Sequence, residues 1–431
     1  MDRRDVRTPL RNDDQQARQD LPNHLIRWLA LGLAALLFVT GCGSAKQSSE
    51  PKAAKAATPK SWAQLSKPGF TDDFVAVAFF SRDSTAAMAT DDAYLAFIKA
   101  SGAVKLEKVA PIQNGILRSR GRALGFDSEK DTFVLDGADS TALRRGEKNV
   151  PTGHWASFTK SGWDVTVLNV GRLSDGYLTE VFAHDGTKVV KNAIRDVPGA
   201  TGMDGDDLYL LSSGSSNTDG TVSVYQTVIT KPDSTKQIME FRAVPDPAKA
   251  AFSTLSDLHV TDGAAWFTYY ITPISPSGAY LTKQRTLHLG RIDLATKKFS
   301  QRLLSNQPYL MGDGPKGVVP VSVAGLDGYL HAGRMYTINT GGQIMAIDLE
   351  QATSTEIGQV SEFARNSFRV LPSWHGDQLT LLSIDGRGGA KLQTYSLKDG
   401  SLVSDINVPE LGSWYAANFS TLPWSLTTLT P

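Results

Sequence analysis

Six histidines follow residue 42 in this 431-residue chain: His154, His184, His259, His288, His331 and His375. None forms a His-x-x-x-His or His-x-His pair, the spacings that place two imidazoles on one metal, so no metal site is expected. Asp204-Gly205-Asp206-Asp207 offers carboxylates to a calcium ion but lacks the spaced, Glu-terminated ligand set of a calcium loop. Aspartate and glycine in that order have a sufficient reason in hairpin turns. The same holds for Asp185-Gly186, Asp219-Gly220, Asp327-Gly328, Asp385-Gly386 and Asp399-Gly400. The Gly-x-Ser-x-Gly elbow of hydrolases does not occur, and Gly214-Ser215-Ser216 sits in a Ser/Asn/Gly turn. Gly121-Arg122-Ala123-Leu124-Gly125 is too short for a phosphate-binding loop and lacks its Lys-Ser/Thr end. No catalytic residue and no cofactor is expected on these grounds. Cys42 is the only cysteine, which excludes an internal disulfide and a cysteine-based metal site.

Binding chemistry is better represented. Arg118, Arg120, Arg122, Arg144 and Arg145 are the densest basic features; a solvated loop face is the expected reading, an anionic partner the sharper one. Trp155, Trp163, Trp266, Trp374, Trp414 and Trp424 read mainly as core. Aromatics near turn tips are the candidate ligand contacts: His154 with Trp155, Tyr269 with Tyr270, and Trp414 with Tyr415. Such rings stack on a sugar or a peptide.

The elements that carry these residues begin with a leader. Arg27 is the last charge before Trp28–Thr40, an uncharged run of 13 residues. A membrane-spanning helix needs about 20 such residues, a signal-peptide core roughly 7 to 15. The run ends in Val39-Thr40-Gly41-Cys42, which resembles the lipobox of bacterial lipoproteins. The resemblance implies that the Cys42 thiol takes a diacylglycerol and that cleavage leaves Cys42 as the first residue. Residues 1–41 are then a cleaved signal peptide, and the protein is lipid-anchored at the cell membrane, facing the extracytoplasmic side. Arg3-Arg4 suggests twin-arginine export only weakly, because Asp5-Val6-Arg7 lacks the usual hydrophobic pair. Residues 42–60 are rich in Ala, Ser, Lys and Pro and bury too little apolar surface to order, so they read as a flexible tether.

Residues 61–431 form the working domain. With the leader's six arginines and five aspartates set aside, 38 basic and 39 acidic residues remain, a balance that gives no reason to bind nucleic acid. Helical periodicity is confined to Ser61–Leu65 and Asp246–Phe252; elsewhere short β-branched runs alternate with Gly, Asp, Asn and Ser. The runs repeat as a unit. Gly205-Asp206-Asp207-Leu208-Tyr209 matches Thr261-Asp262-Gly263-Ala264-Ala265, and His331-Ala332-Gly333-Arg334 matches His375-Gly376-Asp377-Gln378. Markers at Asp92, Asp131, Asp175, Asp206, Gly263, Gly333 and Asp377 have a mean spacing of 47.5 residues, near the roughly 40–50 of a four-stranded blade. The expected fold is all-β: a β-propeller of about seven blades (six to eight). The pattern resembles bacterial propellers of the WD40, YVTN and quinoprotein-like kind. Ile292-Asp293-Leu294-Ala295-Thr296 echoes the quinoprotein repeat. The tail from Pro409 supplies a closing strand or packs across the ring.

The functional expectation is a membrane-anchored lipoprotein, not an enzyme, whose propeller binds or scaffolds an envelope protein, peptide or glycan. One alternative is a lyase or glycan hydrolase with carboxylates and histidine at the central channel. Another is an accessory subunit of a transporter or assembly machine.

Overall fold

In the computed structural model the described residues are 73–82, 93–112, 114–136, 139–145, 152–173, 176–212, 220–305, 328–339, 341–418 and 421–429. The leader, Cys42, the tether, Ser61–Leu65, the markers Asp92 and Asp175, Asp219, Asp327 and Gly214-Ser215-Ser216 lie outside them. The described residues form a seven-bladed β-propeller of antiparallel sheets.

Blade 1 holds Phe74–Arg82, Ala93–Lys99 and Val104–Val109, and its innermost strand, Thr421–Thr428, comes from the other end of the chain. Blades 2, 3 and 4 begin with the inner strands Arg118–Arg120, Thr152–Phe158 and Ala200–Asp204. Blade 5 divides its inner strand into Ala250–Thr254 and His259–Thr261. Blades 6 and 7 begin with Tyr329–His331 and Arg369–His375. The ring closes where Ala76 faces Thr428 and Arg82 faces Thr421. The closing strand is also tied sideways: Thr428 N–H donates to Ser373 Oγ of blade 7 at 3.2 Å, and Leu117 N–H, next to blade 2, donates to Ser425 Oγ at 2.9 Å.

Middle strands are apolar on both faces because both faces meet a neighbouring blade. Leu208, Tyr209, Leu210 and Leu211 are consecutive and all buried. Leu208 and Leu210 face blade 3, while Tyr209 and Leu211 face blade 5. Four markers, Asp206, Gly263, Gly333 and Asp377, fall at the same turn between first and second strands. Asp131 instead opens the third strand of blade 2. Asp246–Phe252 is not helical. Its aspartate closes a turn, accepting Ala250 N–H on its carbonyl at 3.1 Å and Ala248 N–H on Oδ1 at 3.0 Å, and a strand follows. Among the described residues two short α-helices occur instead, α1 (Glu362–Asn366) and α2 (Pro409–Ala417). Proline at the first turn of α2 gives up no hydrogen bond there.

Six of the blade interfaces are sealed by apolar clusters; among the described residues blades 2 and 3 meet through a group of buried ions, with Leu168 of blade 3 joining the blade 1–2 cluster. On blade 2, Leu124 and Phe126 turn toward blade 1, leaving Gly125 and Asp127 toward blade 3. On blade 3, Val165 and Val167 turn toward blade 4, leaving Asp164 and Thr166 toward blade 2. Arg118 fills the gap as a fork. Its Nη1 donates to Asp127 Oδ2 at 2.7 Å, its Nη2 to Asp164 Oδ2 at 2.6 Å, and its Nε to Asp164 Oδ1. Arg145 Nη1 donates to Asp127 Oδ1 at 2.8 Å, and His184 Nε2 lies 3.2 Å from Asp164 Oδ2. Burial alone lowers the Arg118 guanidinium, but the two carboxylates overcome it and hold it above its ordinary value. A Cβ at Gly125 would stand 2.7 Å from Arg118 Nε, so a glycine is required beneath the fork. Arg118 and Arg145 are therefore buried structural ions, which corrects the expectation of a solvated basic face.

Replacing Arg118 by methionine strips Asp164 of its guanidinium and leaves Asp127 with Arg145 as its one countercharge among the described residues. Urea unfolding of Arg118→Met at pH 7 is expected to show a loss of about 3–5 kcal/mol, the usual cost of removing one partner of a buried ion pair. The loss shrinks as pH falls, because an Asp164 carboxyl without its guanidinium relieves its buried charge by protonating.

Candidate functional site: the central cavity

A cavity of about 680 Å³ runs at the ring's axis. Residues at or beside the first strand of every blade line it: Leu117, Trp155, Gly199, Ser253, Tyr329, Trp374 and Ser425 among them. Its walls mix aliphatic and hydroxyl side chains with five aromatic rings, Tyr270 and Trp424 joining Trp155, Tyr329 and Trp374. Tyr329 and Trp374 lie nearly parallel at 5.9 Å between ring centroids. Its charged or ionisable lining is sparse: His154, Asp257, Arg285 and the two tyrosines.

Two interruptions of inner strands present the sharpest of these groups. In blade 3 the register slips between Gly153 and Trp155, which leaves His154 as the extra residue of a bulge. In blade 5 the N–H groups of Leu255 and Ser256 both donate to Thr268 O, at 2.8 and 3.3 Å, and the strand resumes only at His259. Asp257 sits in that break. Bulges bend a strand and re-aim the side chain they carry. The blade 4 side fixes Asp257 further. Thr201 N–H donates to its Oδ1 at 3.2 Å, and Leu258 N–H donates to Thr201 O at 3.0 Å. This backbone approach is so close that a Cβ at Gly202 would overlap Leu258 O.

The cavity shifts its acids and bases toward neutrality. Burial lowers His154 to about 4, so its imidazole is uncharged at pH 7. Burial raises the Asp257 carboxyl to about 7, partly opposed by the Thr201 hydrogen bond. Burial also raises Tyr270, opposed by the charge of Arg285, whose guanidinium carbon lies 4.7 Å from the Tyr270 ring centroid.

Of the residues expected to contact ligand, His154, Trp155 and Tyr270 line the cavity. Tyr269 points the opposite way, fully buried between blades 4 and 5, and its hydroxyl donates to Gln301 Oε1. Strand alternation separates it from Tyr270. Trp414 and Tyr415 ride on α2 and pack on Phe80, with centroids at 5.3 and 6.2 Å, sealing blades 7 and 1. Tyr269 and Tyr415 are therefore core, and Trp414 packs half-buried against the blade 7–1 cluster, away from the cavity. Asp257, Arg285 and Tyr329 were not among the sequence candidates. Leu255-Ser256-Asp257-Leu258 reads as an ordinary turn, and its one signal is that it interrupts a blade where a full first strand is due.

A family described as YycP, beta-propeller domain, matches residues 69–422. The chain belongs to that family. No curated protein matches the sequence. Among solved structures, apo AztD from Citrobacter koseri is similar at 12% identity over 82% of this chain and 89% of that one, with a TM-score of 0.39. BamB from Moraxella catarrhalis is 12% identical over 77% of this chain and 88% of that one, TM-score 0.36. A puromycin hydrolase is 11% identical over 76% of this chain and 51% of that one, TM-score 0.43.

The raised Asp257 carboxyl has a thermodynamic signature in this YycP-family propeller. A folded-state value near 7 against an unfolded value near 4 means that its contribution is fully present below pH 4 and is lost as pH rises through 7. Asp257→Asn removes that loss. Thermal unfolding is expected to show the variant melting about 2 °C or more above wild type at pH 8 and with it at pH 4. Equal midpoints at both pH values would contradict the placement of this carboxylate.

Proposed function

We propose that the protein is a lipid-anchored, extracytoplasmic binding module that takes a group of an envelope peptide, protein or glycan into its central cavity. The observation that carries this reading is the cavity itself, about 680 Å³, with five aromatic rings in its lining and built by all seven blades. Concave, mostly apolar sites with a few convergent polar groups are the usual form of a ligand pocket. The seven rigid sheets hold the lining side chains in place, so binding needs little ordering. Cys42 supports the anchor: it is the only thiol, and it stands at the end of an apolar run too short to span a bilayer. Acyl chains contribute about 0.8 kcal/mol per buried methylene, so two or three hold firmly. The tether of residues 43–60 gives the propeller reach from the surface.

A second reading has one specific observation in its favour. Asp257 near neutrality and an uncharged His154 in one cavity are the ingredients of general acid–base chemistry. That reading demands turnover of an envelope peptide or glycan, abolished in Asp257→Asn.

Intact-mass spectrometry of membrane-extracted protein is expected to show a chain beginning at Cys42 with added acyl mass. Cys42→Ala is expected to leave the membrane fraction. Crosslinking in cells is expected to recover one envelope partner. Ser253→Trp, which fills the cavity from an exposed lining position, is expected to reduce that recovery at least tenfold with an unchanged unfolding midpoint. An unmodified wild type, or undiminished recovery with Ser253→Trp, would sink the corresponding half of the proposal.

A further inference from the structure

Among the described residues Asp257 has no countercharge. Among the described residues no lysine, arginine or histidine lies within ion-pair distance of its carboxylate, and its polar partner is the Thr201 N–H. Among the described residues the other formally charged side chain lining the cavity is Arg285, which stacks against the Tyr270 ring. The buried carboxylates between blades 2 and 3 make the contrast plain, since Asp127 and Asp164 share the Arg118 fork. Carboxylates that serve the fold in this protein are neutralised; the one in the cavity is left open on the side that faces the void. Its other surroundings are aromatic. Tyr270, Tyr329, Trp374, Trp424 and Trp155 line the same space, and π faces attract cations, indole most strongly. An unpaired anion inside a ring of aromatics is complementary to one kind of group.

We infer that the cavity binds an organic cation, an ammonium or guanidinium group held by the Asp257 carboxylate between the aromatic walls. This inference rests on the binding reading above and names its ligand class. The carboxylate supplies the countercharge and one or two acceptors, while the indole and phenol rings replace the hydration of the carbon-bound face of the cation. An ammonium or guanidinium on an apolar stem fits both demands. A bare metal ion fits neither, since it needs several oxygen ligands and would meet one carboxylate. The cation comes either from a free amine or from a lysine or arginine side chain of a peptide.

The test uses the full chain in a non-ionic detergent at pH 8, with tryptophan fluorescence and titration calorimetry as readouts. The probes are n-butylammonium, its neutral counterpart n-pentanol, and an acetylated hexapeptide carrying one lysine beside the same peptide with norleucine. Saturable binding of n-butylammonium, at least tenfold tighter than n-pentanol and weakened at least tenfold in Asp257→Asn, is expected. Asparagine keeps an acceptor for the Thr201 N–H, so the variant retains the local fold. Repeating the titration at pH 7 in two buffers of different ionisation enthalpy is expected to show proton release in wild type and none in Asp257→Asn. The other titratable groups facing the cavity are His154, Tyr270, Tyr329 and Arg285. His154 is already neutral at that pH, burial raises both tyrosines, and a guanidinium keeps its charge, so Asp257 is the group that yields the proton. Tighter binding of the lysine peptide than of its norleucine form and of the free amine assigns the cation to a peptide side chain. Binding of the free amine alone assigns it to a small molecule. Equal affinity for n-butylammonium and n-pentanol, equal affinity in Asp257→Asn, or no binding of either cation overturns the inference. In each of those cases a loss of partner recovery in Ser253→Trp would still uphold the binding reading by itself.

Discussion

Each blade of this protein has two faces, and both must be covered. A strand such as Asp207–Ser212, buried along nearly its whole length, has no solvent side to fall back on. One neighbouring sheet covers half of it and leaves the other half in water. The finite arrangement that covers every face is a ring, and seven four-stranded repeats supply it. Position within a blade then follows from the same constraint. The second strands are largely buried, whereas outer strands such as Lys236–Arg242 and Lys298–Leu303 are largely exposed. Charged residues along those outer strands also discourage edge-to-edge pairing with other chains.

One interface satisfies the constraint by different means. Between blades 2 and 3 buried ions make much of the seal, and each ion must be paired because none can reach bulk water. The guanidinium fork accepts carboxylates only within its own plane, so the two blades are fixed in angle and height as well as in contact. The glycine beneath the fork is part of the same solution. The central cavity obeys an opposite logic. There the inner strands are shortest and most interrupted, and the interruptions at His154 and Asp257 leave polar groups facing the void. Regular strands build the frame, and irregular ones equip it.

Much of the frame was legible in the sequence because a blade repeats. The Asp/Gly turns at Asp206, Gly263, Gly333 and Asp377 mark one structural position, and the apolar runs after them are the second strands. The turn at Arg120-Gly121-Arg122 carries no aspartate, so the repeat there was caught at Asp131, one hairpin late. Half of the candidate contacts lie in the cavity. Tyr269 and Tyr270 are adjacent in sequence and opposite in space, and only the register of Ala264–Pro273 tells which faces the void. Arg118 and Arg145 read as surface charge because their partners, Asp127 and Asp164, are on different strands. Asp257 was invisible for a similar reason: its environment is assembled from several blades, and no local spacing encodes it.

The closing strand gives the chain a particular order of events. Its partner Phe74–Arg82 is made first among the described strands, and Thr421–Thr428 last. Blades 2 to 7 complete themselves from contiguous chain as synthesis proceeds, whereas blade 1 waits with an open edge. That edge reads Phe-Val-Ala-Val-Ala-Phe-Phe, an aggregation-prone segment by its β-propensity, apolarity and lack of charge. Contacts that span nearly the whole chain form slowly. A chain that stops short of Thr421 therefore carries a sticky strand with nothing to pair it, and its failure is collective: coalescence with other chains, in place of a local fraying.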